Sequence, residues 1–188
     1  MKIFLVVLGI LVLVGLMFAG KFVSVRNELA VQNEAIAGAW SQVDVALQRR
    51  ADLIPNLVNT VKGFATHEQQ VIDSVTAARA ALGGARTPQE KIAANSQLDG
   101  AISRLLVISE NYPNLKSNEN FLRLQDELAG TENRIAVERR KYNEVVQRYN
   151  TQIALFPNNL IASMSGFQRN DAYFKTDPGS RVAPKVAF

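Results

Sequence analysis

The chain has 188 residues, 47% of them hydrophobic and 20% charged, which is enough for one domain with a single core and too apolar for a chain without a fold. It contains no cysteine, which excludes disulfides, thiolate nucleophiles, zinc–thiolate sites and lipid attachment through cysteine. The formal charge of +4 is small, and two of the bases, Lys2 and Lys21, only bracket an apolar run, so the balance does not point to nucleic acid.

From Ile3 to Ala19 every residue is apolar or glycine (IFLVVLGILVLVGLMFA), and Phe22-Val23 extends the run beyond Lys21, whose stem can snorkel. A hydrocarbon core of ~30 Å needs about 20 residues of helix. Ile3, Leu11 and Ala19 are therefore expected in lipid, within an anchor over residues 1–22. The rival reading is a cleavable signal peptide. Cutting after Ala19 puts Met17 three residues before the cut, and cutting after Gly20 puts Phe18 there, where a small residue is required. An uncleaved, single-pass transmembrane helix follows. Lys2 on one side and Lys21 with Arg26 on the other leave the orientation open.

A helical bundle is expected over 23–157. Ile36, Trp40, Val43, Leu47, Ile54, Leu57, Val61 and Phe64 recur at the four-three spacing of an interhelical seam, with Arg50 filling one slot. The pattern begins close to the anchor, so the membrane helix is expected to continue into the bundle. Pro55 predicts a bend or break around 52–55. Gly63-Phe64-Ala65-Thr66 offers a stop, with Thr66 capping a helix to about Leu82 that Gly83-Gly84 ends. Thr87-Pro88-Gln89-Glu90 is a capping box with proline at the first helical position. The helix it opens carries Leu98, Ile102, Leu105 and Tyr112, and Pro113 closes it.

The last long helix is predicted over about 117–155, with a seam at Phe121, Leu124, Leu128, Ile135, Tyr142, Val145, Tyr149 and Phe156, and polar slots at Thr131, Glu138 and Gln152. Its basic run Arg139-Arg140-Lys141 lies between Glu138 and Glu144, as on a solvated helix face. Short turns between four helical segments imply an antiparallel up-and-down bundle. The alternative is three helices, the first two segments forming one kinked rod. A short helix over 159–165 and Gly/Pro-punctuated coil make 158–188 a mostly coil, flexible tail.

Little in the chain carries chemistry. His67-Glu68 has no second histidine four residues on, and one histidine cannot complete a zinc or di-iron site. There is no G-x-S-x-G elbow, and Gly83-Gly84 lacks the P-loop lysine. The amide-rich turn around Asn111, Tyr112 and Asn118 reads as local capping. No catalytic residue, cofactor, metal or small-molecule substrate is expected. Arg50 and Glu138 are the charges that interrupt seams: either they form a buried polar layer that fixes helix register, or helix rotation puts both heads at the bundle edge in water.

Four stretches carry a close resemblance to the LemA family of bacterial membrane proteins: Trp40-Ser41-Gln42-Val43 with RRADLIPNLVNTVKGFATHE, then SENYPNLKSNENFLRLQDEL, ENRIAVERRKYNEVVQRYN, and the ending APKVAF. The resemblance implies a short N-terminal tail, one transmembrane helix and an antiparallel four-helix bundle in a bacterial inner membrane, and it supplies no chemistry.

The expectation for function is a non-enzymatic scaffold or interaction protein whose partners are the lipid bilayer and further copies of itself. Tethering to two dimensions raises effective concentration and favours a homo-oligomer. Val186-Ala187-Phe188 matches the pattern of a carboxyl terminus that adds as a strand to a PDZ-type groove. The alternative function is thus an accessory subunit docking on a membrane protease or stress-response partner through that tail, set against a frayed end. An enzyme with an unrecognised polar site is the third reading.

Overall fold

The computed structural model describes residues 2–65 and 67–175. Among the described residues the chain is all-helical, with no strand. The helices are α1 (Lys2–Lys62), α2 (Gln69–Gly84), α3 (Pro88–Ser109), the single turn α4 (Pro113–Lys116), α5 (Glu119–Ala154) and α6 (Asn158–Met164). Thr66 lies outside the described residues, and α2 begins after Glu68.

The described residues fall into two compact parts, one comprising 2–39 with 144–171, the other 40–65 and 67–143 with 172–175. In the first part, residues 2–21 of α1 are exposed throughout. An 18-residue apolar window here lacks any burial, and α1 is long and apolar enough to cross a membrane. This end of α1 is a candidate transmembrane span. Burial begins at Val25 and Leu29, and with Ile36, Val146, Tyr149, Ile161 and Ala162 these residues form the core of this part.

In the second part the seam of α1 is buried at Val43, Leu47, Arg50, Ile54, Leu57 and Val61. Phe64, expected to continue it, is 40% exposed, and Ala65 is buried instead because the helix has ended at Lys62. Of the bend or break expected around 52–55 the break is absent, and α1 runs through Pro55. Proline removes the N–H that the Ala51 carbonyl would accept. Arg79 on α2 replaces it, its Nε donating to the Ala51 carbonyl at 2.9 Å. Since Ala51 is buried, that carbonyl would otherwise be left without water or partner.

The α3 capping box forms as expected, with Thr87 Oγ1 accepting from the Glu90 N–H at 3.2 Å and Glu90 Oε2 accepting from the Thr87 N–H at 3.2 Å. Polar pairs fix the directions in this part. Lys91 pairs with Asp44 and Asp99 with Arg50, so α1 and α3 ascend together. Arg79 meets Ala51, the α2–α3 link is short, and on α5 Glu132 meets Arg50 while Tyr142 meets Trp40. The α1, α2, α3 and α5 segments therefore alternate in an up-and-down bundle.

Candidate functional site

In the second part, the seam's own spacing turns Arg50 inward, leaving it only 5% exposed. Its Nη1 pairs with Asp99 of α3 and, at 2.7 Å, with Glu132 Oε2 of α5. Asp99 is held in place by Asn95, whose Nδ2 donates to Oδ2 at 3.0 Å, and Arg139 Nη2 lies 3.5 Å from the same oxygen. Two guanidinium groups thus face two carboxylates. The exposures are unequal: the Arg50 side chain is 7% exposed, but those of Asp99 and Glu132 are 33% and 43% exposed. Arg50, Asp99, Glu132, Ile102 and Leu128 border a groove of about 360 Å³, and there the carboxylates are far more open to water than the cation.

Glu138 is placed elsewhere. Its carboxylate accepts from Lys141 Nζ at 3.0 Å, one turn on along its own helix. The carboxylates on Arg50 are therefore Asp99 and Glu132. Sequence reading missed Asp99, although a signal existed: Asn95 takes the seam slot seven residues before Ile102, and it is fully buried. The planar guanidinium of Arg50 gives this cluster charge and direction. Among the described residues no group of three His, Cys, Asp or Glu is placed to hold a metal ion.

A second cluster in this part was not foreseen. Phe174 stacks on Trp40 with centroids 6.0 Å apart and meets Tyr142 edge-on at 5.9 Å, and Arg139 lies 5.0 Å over its ring. Asn143 fixes the Phe174 backbone, with Nδ2 donating to the carbonyl at 2.8 Å and Oδ1 accepting the N–H at 3.0 Å. The same device recurs in the first part, where Asn150 donates to the Asn170 carbonyl at 2.7 Å and accepts its N–H at 2.9 Å. Beside it Tyr149 donates to the Gln168 carbonyl at 2.9 Å, and burial pushes its phenol pKa up. Segment 168–174, assigned to the tail, is thus held by side chains of α5. The signal was available in Asn143 and Asn150, two amides seven residues apart.

At the α2 head, His67 is exposed. Tyr112 donates to Glu68 Oε1 at 2.8 Å, and this hydrogen bond raises the phenol pKa. Asn118 Oδ1 accepts the N–H groups of Asn120 and Phe121, capping α5. Ile3, Leu11 and Ala19 lie on the exposed stretch of α1. Val186, Ala187 and Phe188 lie outside the described residues.

The LemA family model matches residues 39–188. The chain belongs to the LemA family. The match takes in both clusters and starts beyond the apolar run. Among similar proteins, Magnetosome protein MamQ 2 of Paramagnetospirillum magneticum is 25% identical over 178 residues, covering 81% of this chain and 65% of that protein. Protein LemA of Metamycoplasma hominis is 25% identical over 162 residues, covering 86% and 74% respectively. Magnetosome protein MamQ of Magnetospirillum gryphiswaldense is 25% identical over 188 residues, covering 85% and 69%. The chain thus spans about two thirds of the length of the magnetosome relatives it matches.

Proposed function

We propose that this LemA-family chain is a non-catalytic helical scaffold held in a bacterial inner membrane, where copies associate with one another. The observation that supports this reading is the continuity of α1. One helix, Lys2–Lys62, carries both the exposed apolar run and the buried seam, so no loop separates span from body. Confinement to two dimensions raises the effective concentration of copies, and contacts too weak to assemble a freely diffusing domain then suffice. The ion cluster around Arg50 serves this role by fixing helix register, the best-attested use of a buried polar layer. A rigid, uniquely registered bundle presents the same surface in every copy.

The cysteine-free sequence makes the test direct. Val45 is 64% exposed on α1, so Val45→Cys accepts a donor or an acceptor dye in full-length protein. The two populations are co-reconstituted in vesicles and diluted with lipid. Energy transfer should persist at dilutions where random proximity predicts none. Transfer that falls along the random-proximity curve, with a detergent-solubilised particle of one-copy mass by light scattering, would overturn self-association.

A further inference from the structure

The first compact part exposes a concentrated apolar corner where α5 passes into α6. Leu155 is 52% exposed, Phe156 81%, Leu160 56% and Met164 72%. Leu160 and Met164 lie one turn apart on one face of α6, whose opposite positions Ile161 and Ala162 are buried. Four large apolar side chains contributed by 10 consecutive residues (155–164) differ from the scattered exposed apolar residues of an ordinary surface.

The helix register says what faces them. Trp40 of α1 and Tyr142 of α5 meet with centroids 5.3 Å apart, and the two helices run in opposite directions. Twelve residues forward from Tyr142, α5 ends at Ala154, and twelve back from Trp40 on α1 is Glu28, so Leu155 and Phe156 follow just past that level. The corner is therefore level with the point where the apolar run ends at Phe22-Val23 and burial begins at Val25. Local charge is one-sided as well. On α1 no acidic residue precedes Glu28, while Lys2, Lys21 and Arg26 are basic; between Glu144 and Asp171 there is none either, while Arg148 and Arg169 are basic. Amides of Asn158 and Asn159 fill the remaining polar positions at the start of α6.

We infer that Leu155, Phe156, Leu160 and Met164 enter the headgroup and acyl boundary of the bilayer as a second, interfacial contact beside the span. This inference rests on the reading of α1 as a transmembrane helix. An aromatic and aliphatic face flanked by bases and free of acids is the chemistry of an interfacial segment, and anionic headgroups complement the basic residues. Two contacts on one part, the span and this corner, fix tilt and rotation about the α1 axis, which a single helix in lipid leaves loose.

The test uses full-length protein in vesicles of phosphatidylcholine with phosphatidylglycerol, with an environment-sensitive fluorophore on single introduced cysteines. Labels at Leu160→Cys and Met164→Cys should shift to the blue and lose emission to lipids brominated near the headgroup. A label at Leu11→Cys should lose it to lipids brominated deep in the chain, and one at Arg148→Cys should stay water-like. If Leu11→Cys is quenched while Leu160→Cys and Met164→Cys remain accessible to aqueous quenchers, the interfacial contact is overturned and the span stands. If Leu11→Cys is itself water-like, both fall. Shielding from aqueous quenchers without quenching by any brominated lipid assigns the corner to a second protein copy and overturns the proposal, as does equal quenching at Arg148→Cys.

Discussion

The two compact parts handle buried polarity by opposite means. In the part built from 40–143, a cation sits inside a helical bundle against carboxylates from two other helices. In the part built from 1–39 and 144–171, the polar work falls to neutral groups: Asn150 and Tyr149 hold the chain at 168–170, and Asn158 binds Gln152 at 2.9 Å. Its ion pair Arg169–Asp171 is at the surface, with side chains 63% and 75% exposed. Fixed charges are tolerated where water reaches one side of the pair, whereas neutral hydrogen bonds suit a part that carries the candidate span, because ions lose far more than amides when water is withdrawn. Each side of this comparison can be broken by substitution.

The largest effect should come from removing the anions. Asp99→Asn with Glu132→Gln keeps shape and hydrogen-bonding capacity yet leaves Arg50 buried without a counter-charge, a situation worth about 3–5 kcal/mol. Arg50→Met is expected to cost far less, about 1 kcal/mol, since Asp99 and Glu132 are partly hydrated and their charges do not depend on it for solvation. Urea unfolding followed by circular dichroism measures both. Equal losses in the two variants would mean that the exposure difference does not govern the network.

Next in size is the mend at Pro55. Arg79→Met leaves the buried Ala51 carbonyl unsatisfied and should cost about 1–3 kcal/mol. Adding Pro55→Ala restores the missing backbone donor, so the double variant should recover most of the loss. A double-mutant cycle with no coupling between the two sites would show that Arg79 acts through something other than that carbonyl.

This mend marks where sequence reading stops. Apolar spacing located α1, α3 and α5 to within a few residues, and the Thr87 box fixed the start of α3, because these signals are local. Pro55 predicted a bend or break for the same local reason, and the helix continues because Arg79 supplies the missing donor to Ala51, 28 residues away. Arg50 was legible as a charge in a seam, but its partners Asp99 and Glu132 depend on how α3 and α5 are rotated, which periodicity leaves open. Phe156 was read as a seam residue and is the most exposed member of the α5–α6 corner. An apolar residue at helical spacing reads the same whether protein or lipid covers it.

The asparagine clamps allow the two parts to be compared with one chemistry. Asn143→Ala and Asn150→Ala each delete two side-chain hydrogen bonds to the backbone, with an expected cost of about 1–2 kcal/mol apiece. Their optical signatures should differ. Trp40 is the only tryptophan and stacks on Phe174, so Asn143→Ala should change its emission while Asn150→Ala leaves it nearly unchanged. A matching Trp40 response in both variants would mean that the 168–174 segment is released as one unit.

The smallest effect belongs to Glu90, fully at the surface. Hydrogen bonds from the Arg86 and Thr87 backbone N–H groups hold its carboxyl below the ordinary value of 4.5. A depressed pKa means that the folded state favours the charged form, so its stabilisation is complete above the unfolded value and fades as pH falls through the folded one. Glu90→Gln should therefore lower the thermal midpoint slightly at pH 7, and the difference should shrink as pH is lowered toward 3. The buried Arg50 network is common to both proteins and cancels in the difference. A gap between wild type and Glu90→Gln that persists unchanged to pH 3 would mean that the side chain caps α3 through shape and hydrogen bonding alone, and that its charge contributes nothing.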